Sequence, residues 1–232
     1  MVTHPTKRKL GELDVYQLGD DPKAPYLMLF HGYGANAFDL MPLSQNLLVG
    51  RNINYLFPDG RISVDVGYGM MGKAWFPIDM VAFQEAMMRG EHRDLSGGLP
   101  EGFIEAREVA QEMLDALDVP MDRIILGGFS QGAMLAIDLS LRSKTPPIAL
   151  LILSGTLVDS ENLRKLALKR AGLPFFQSHG TADPLLPYVA AERLNKLLNE
   201  AGLKGELHTF YGGHEIPQDI LLKLNAFLEN IL

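Results

Sequence analysis

Gly127-Gly128-Phe129-Ser130-Gln131-Gly132-Ala133-Met134 sets a serine inside a G-x-S-x-G pattern, between an apolar run and a stretch of good helix formers. Upstream, Arg123-Ile124-Ile125-Leu126 reads as a short buried strand; downstream, residues 133–141 read as a helix. A sharp strand-to-helix turn needs small residues beside its apex, because bulky side chains would collide where the backbone is strained. Gly128 and Gly132 meet that need, which makes Ser130 a candidate nucleophile. Taken alone, the motif also fits a Gly-rich turn that merely places a serine at a helix start.

Working outward from this turn, short apolar runs alternate with helical patterns. Strands are expected at residues 26–30, 54–57, 148–153, 174–177 and 206–210, and helices at 37–48, 103–117, 161–170, 189–201 and 217–232. In the last of these, Ile220, Leu221, Leu224, Phe227, Leu228 and Ile231 recur at three- and four-residue steps, as an amphipathic helix requires. The alternation implies βαβ units: an α/β fold with a mostly parallel central sheet and helices on both faces. Residues 10–18 add an antiparallel N-terminal edge strand. In such open sheets, sites form beyond the carboxyl ends of the strands, so reactive residues belong in post-strand loops.

A chain of 232 residues suits one α/β domain spanning 1–232. With 47% hydrophobic and 21% charged residues it has an ordinary globular balance, and its net charge of -7 argues against binding a nucleic-acid backbone. Zero cysteines exclude disulfides, thiolate metal sites and a cysteine nucleophile. Lys7, Arg8 and Lys9 have no apolar signal region behind them and no apolar run reaches membrane-spanning length, so a cytoplasmic protein is expected. The stretch 58–101 lacks clean periodicity apart from a short helix expected at 79–88. It reads either as a substrate-covering segment or as a loop packed on the core by its aromatics.

A serine hydroxyl needs a base, usually histidine, held by a carboxylate. His214 follows the strand ending near Phe210, behind Tyr211-Gly212-Gly213, and precedes the final helix; His4 and His92 have no such placement, and His208 falls within a strand. Two carboxylates follow strands, Asp159 and Asp183. Asp183 is preferred, because the prolines of His179-Gly180-Thr181-Ala182-Asp183-Pro184-Leu185-Leu186-Pro187 restrict its loop, although an Asp-Pro pair also suits an ordinary turn. The chain order Ser130, Asp183, His214 is that of the α/β-hydrolase triad. Acyl transfer further needs donors for an oxyanion. The backbone N–H of Gln131 is one. The N–H of Tyr33, in Leu29-Phe30-His31-Gly32-Tyr33-Gly34, is the second, with His31 bracing that loop rather than transferring protons.

Together these residues resemble the phospholipase/carboxylesterase family of α/β-hydrolases, which includes acyl-protein thioesterases and small bacterial carboxylesterases. The resemblance covers nearly the whole chain. It rests on His31-Gly-Tyr-Gly with Asp39-Leu40, Ala74-Trp75-Phe76, Gly128-Phe-Ser-Gln-Gly132-Ala-Met134, His179-Gly-Thr-Ala-Asp183-Pro-Leu-Leu-Pro187 and Gly213-His214. It implies an α/β-hydrolase fold, triad roles for Ser130, Asp183 and His214, an oxyanion hole from the Tyr33 and Gln131 amides, and an acyl site lined by Trp75 and Leu185. The chain departs from the family where Pro77, rather than an acidic residue, follows Trp-Phe; Asp79 comes later.

The expected reaction is hydrolysis of a small-molecule or lipid-like ester through an acyl-enzyme, with no cofactor and no metal. Thioesterase or lysophospholipase action shares the same machinery. A dienelactone-hydrolase-like role would normally use a cysteine, a peptidase would need a cap or propeller domain, and a non-catalytic binding protein would be expected to lack a triad member. Monomer and homodimer both remain compatible with the sequence.

Overall fold

The strands of the computed structural model, in chain order, are β1 (Thr6–Leu10), β2 (Leu13–Leu18), β3 (Tyr26–Phe30), β4 (Asn54–Pro58), β5 (Ile62–Asp65), β6 (Met71–Ala74), β7 (Ile124–Phe129), β8 (Ala149–Leu153), β9 (Pro174–Gly180) and β10 (Lys204–Phe210). The structure describes residues 4–47, 50–79, 85, 88–89 and 95–232. Eight strands form one sheet in the order β1-β2-β4-β3-β7-β8-β9-β10. From β4 to β10 every neighbouring pair is parallel, whereas β1–β2 and β2–β4 are antiparallel. This is the mostly parallel sheet with an antiparallel edge that the α/β-hydrolase reading requires.

The edge itself differs from the single strand expected over 10–18. Gly11 takes a left-handed φ of 54° and reverses the chain, so β1 folds back on β2 with Leu10 opposite Leu13. A glycine in that conformation has no Cβ to clash, which lets a two-residue turn replace a continuous strand.

The major helices lie close to the expected ranges: Phe103–Leu117, Gln131–Arg142, Ser160–Ala167 with a 3-10 turn at Leu168–Arg170, Tyr188–Glu200 and Gln218–Ile231. The helix expected at 37–48 is instead two short ones, Ala37–Leu40 and Leu43–Asn46. Pro42 between them lacks the N–H that a continuous helix would use. Residue 48 lies outside the described residues, as does most of the helix expected at 79–88. Within 58–101 the structure adds a small antiparallel hairpin, β5 against β6. Its tip carries Tyr68 at φ 55° between Gly67 and Gly69.

The strand alternation explains why both sheet faces are covered. On β3, Met28 and Phe30 point into a core shared with Leu126, Leu135, Ile152 and Phe175, while Leu27 and Leu29 point into another with Leu151, Phe176 and Leu224. Successive residues of a strand face opposite sides, so a parallel sheet buried on both faces reads as an unbroken apolar run. Ala149-Leu-Leu-Ile-Leu153 in β8 is fully buried along its length. Among the described residues, no helix is long and apolar enough to cross a membrane.

Candidate active site

β7 runs into Ser130, and the helix Gln131–Arg142 starts at the next residue. Ser130 has φ 55° and ψ -117°, a conformation that costs a non-glycine residue about 1–3 kcal/mol. The surroundings hold it there. Its N–H donates to the Leu153 carbonyl at 2.9 Å, and its own carbonyl accepts from the amides of Ala133 and Met134 at 3.0 and 3.3 Å. The two motif glycines are steric requirements: a Cβ on Gly128 would collide with the Gly132 backbone, and one on Gly132 with the carbonyls of Phe30 and His31. The helix start is thereby pressed onto the end of β3.

Asp183 and His214 come from the loops after β9 and β10. Those loops touch, since a Cβ on Gly180 would strike the carbonyls of Gly212 and Gly213, and the Ala182 N–H donates to the Gly212 carbonyl at 3.0 Å. Nδ1 of His214 lies 2.7 Å from Oδ2 of Asp183. Oδ1 accepts from the amides of Leu185 at 2.8 Å and Leu186 at 3.0 Å. Burial pushes the Asp183 carboxyl up, but the hydrogen bonds from His214 and the two amides outweigh it and leave the group below its ordinary value. An ionised Asp183 therefore accepts Nδ1–H and fixes the tautomer of His214. The His214 ring also packs on Phe129, with centroids 4.7 Å apart. The other carboxylate considered, Asp159, caps the helix Ser160–Ala167 through the Asn162 amide, a structural task away from this pair.

The loop after β3 is braced by His31. This fully buried imidazole donates from Nδ1 to the Gly32 carbonyl at 2.7 Å and accepts at Nε2 from the Gly60 N–H at 3.0 Å. Burial lowers its pKa, which keeps the ring neutral and suited to holding the loop. Tyr33 and Gln131 line one cavity of about 330 Å³ with Ser130 and His214. Leu185 lines it too, together with Phe76, Leu95, Met134 and Leu186. The cavity thus brings Ser130, His214, Tyr33, Gln131 and Leu185 together on largely apolar walls that also include Asp39, Asp79 and Glu101, with Asp183 behind His214.

Trp75 does not join them, which corrects the expectation that it lines the acyl site. It is only 4% exposed and borders a separate cavity of about 270 Å³ beside Leu13, Ile62 and Val109. Its indole N–H donates to the His31 carbonyl at 2.8 Å, and its ring meets Phe30 edge-on at 5.1 Å. A buried indole needs an acceptor; here the acceptor is the His31 carbonyl in the loop after β3, so the ring turns inward and the adjacent Phe76 forms the cavity wall.

Met134 and His179 are among the residues of the site that the sequence reading does not single out. Met134 lines the cavity one helical turn beyond Ser130, a position that the i, i+4 spacing makes available. His179 is fully buried; its Nε2 lies 2.9 Å from the Leu186 carbonyl and 3.3 Å from Oδ2 of Asp183. The signal was its place at the end of β9, four residues before the carboxylate.

Comparison with known proteins agrees with this architecture. The phospholipase/carboxylesterase family model matches residues 13–232. Acyl-protein thioesterase 1 of Candida albicans is 28% identical over 229 residues, spanning 92% of this chain and 94% of the relative. The crystal structure of esterase PE8 superposes with a TM-score of 0.78 at 27% identity, covering 99% of this chain and 100% of the other. Zea mays acyl-protein thioesterase 2 shares the fold, with a TM-score of 0.70 at 20% identity over 94% of this chain and 98% of its own. The match over almost the full length, on a sheet of this order, leaves one conclusion: the chain belongs to the phospholipase/carboxylesterase family.

Proposed function

We propose that this protein is a serine carboxylesterase that works through a covalent acyl-enzyme on Ser130. The observation that carries the reading is a serine held at φ 55° in the same cavity as a histidine whose Nδ1 is bonded to a carboxylate at 2.7 Å. Strain of that kind persists only where the surroundings over-determine it, and it presents the hydroxyl at the end of the sheet.

In the first step, His214 Nε2 takes the Ser130 proton as Oγ attacks the ester carbonyl. The tetrahedral oxyanion is met by the N–H groups of Tyr33 and Gln131, and Asp183 stabilises the imidazolium. The C–O bond to the alcohol then breaks, and the leaving oxygen takes the proton from His214. Water attacks the acyl-enzyme and gives a proton to His214; Ser130 recovers that proton as the acid departs. Phe76, Met134, Leu185 and Leu186 supply the surface against which the acyl part rests.

A thioester is the second reading, favoured by the relatives that carry the name acyl-protein thioesterase. Both use the same nucleophile and differ in the group that leaves. The test is steady-state hydrolysis of an oxygen ester and a thioester bearing the same acyl chain, with wild type and Ser130→Ala. Both rates should collapse in the variant, and the wild-type ratio assigns the leaving group. Undiminished turnover by Ser130→Ala would overturn the reading.

A further inference from the structure

The two amides assigned to the oxyanion hole arrive from distant parts of the chain, Tyr33 after β3 and Gln131 after β7. A hole of this kind works only if its donors are held at a fixed separation before substrate arrives. The segment Lys73 to Phe76 grips both sides. At the Tyr33 loop, the Gly34 N–H donates to the Lys73 carbonyl at 2.8 Å and the Lys73 N–H to the Ala35 carbonyl at 2.7 Å. A Cβ on Gly72 would collide with the Gly34 backbone, so the approach is as close as it can be. Two residues further on, the Trp75 indole N–H reaches the His31 carbonyl at 2.8 Å.

At the other donor, the Gln131 side chain clips the same segment. Its Oε1 accepts from the Trp75 N–H at 2.9 Å and its Nε2 donates to the Phe76 carbonyl at 2.7 Å. Both ends of the carboxamide are therefore committed to adjacent peptide groups, and the residue is 1% exposed. At that burial, displacement of the side chain would strand a donor and an acceptor away from any partner. The Gln131 backbone is fixed by its own side chain.

We infer that Trp75 and the Gln131 side chain are positioning residues that set the distance between the Tyr33 and Gln131 amides. Trp75 is the strut: its indole holds one donor loop, its backbone the other. The inference rests on the reading of those amides as the oxyanion hole. It also explains why an indole lies under the site instead of lining it. Because Phe76 belongs to the same strut and forms a cavity wall, the hole and the acyl surface are built as one piece.

The test uses Trp75→Phe, which keeps a ring and removes the N–H, and Gln131→Met, which keeps chain length and removes the amide. For each, kcat and KM are measured on a neutral p-nitrophenyl ester, together with the affinity for a trifluoromethyl ketone of the same acyl chain, whose adduct with the nucleophile carries an oxyanion. Removal of a whole oxyanion donor costs about 10²- to 10³-fold in kcat, and a displaced donor should cost roughly 10- to 100-fold. The ketone should lose affinity by the same factor, with KM within about twofold. Melting temperatures measured in parallel separate this from loss of fold. If both variants melt earlier yet keep wild-type kcat and ketone affinity, the network is packing only and the inference fails. Ser130→Ala distinguishes the two levels: normal turnover in that variant would remove the serine reading itself, whereas an inactive Ser130→Ala beside fully active Trp75→Phe and Gln131→Met would remove only the strut.

Discussion

Nε2 of His179 lies 3.3 Å from Oδ2 of Asp183, the oxygen that also takes the 2.7 Å bond from His214. His179 spends its N–H on the Leu186 carbonyl at 2.9 Å and so fixes the loop whose amides hold the other carboxylate oxygen. Asp183→Asn removes the acceptor that sets the His214 tautomer and is expected to lower kcat by roughly 10³- to 10⁴-fold. His179→Asn leaves that acceptor and loosens its loop, for a loss of about tenfold. Steady-state kinetics on one ester checks the order; equal losses would contradict it.

Stability should be acid-sensitive below neutrality. Burial is the first cause of the depressed pKa values of His31, His179 and His208. In each, the folded chain favours the neutral ring more than the unfolded chain does, which protonates near about 6.5. Below that value the unfolded state binds more protons, so the contribution is complete above about 6.5 and is lost as pH falls toward the folded values. Asp183, depressed by its hydrogen bonds, loses its contribution only in a lower window, below about 4. Urea unfolding at pH 7.5 and 5.5 should give a lower midpoint at the acid value, and His208→Gln should reduce the difference.

Asp138 on the helix Gln131–Arg142 is bound by Arg107 of the helix Phe103–Leu117 at 2.5 Å and by Arg142 at 3.0 Å. The carboxylate is 10% exposed and the Arg107 side chain 17%. Removing one member of a buried pair leaves the other charge uncompensated. Asp138→Ala is expected to cost about 3 kcal/mol by urea unfolding, with kcat at a permissive temperature within about twofold of wild type.

Leu185 is half-buried on the cavity wall. A long acyl chain would cover it, and a buried leucine contributes about 1.5–3 kcal/mol. Leu185→Ala should therefore lower kcat/KM for an eight-carbon acyl ester by roughly tenfold and leave an acetyl ester nearly unchanged. An equal loss on both esters would place Leu185 outside the acyl path.

Legibility in the sequence followed the physics of each feature. The alternation of strands and helices, and the glycines flanking Ser130, are local signals, and they located the sheet and the turn at its centre. Gly11 is equally local, but the run 10–18 is apolar enough to hide its turn. β5 and β6 are four residues each and only partly buried, so their alternation was too short to register. Trp75 is illegible for a different reason: which way an indole points depends on where its N–H finds an acceptor, and the His31 carbonyl comes from the loop after β3, 44 residues away in sequence. His179 likewise gains its meaning from Leu186 and Asp183, which only the folded loop brings to its ring.

The most direct test of the serine reading is labelling with a fluorophosphonate, followed by mass spectrometry of the digested protein. A single phosphonyl adduct on Ser130, absent in Ser130→Ala and slowed in Asp183→Asn, is the predicted result. An adduct on another residue, or labelling unchanged in Ser130→Ala, would contradict it.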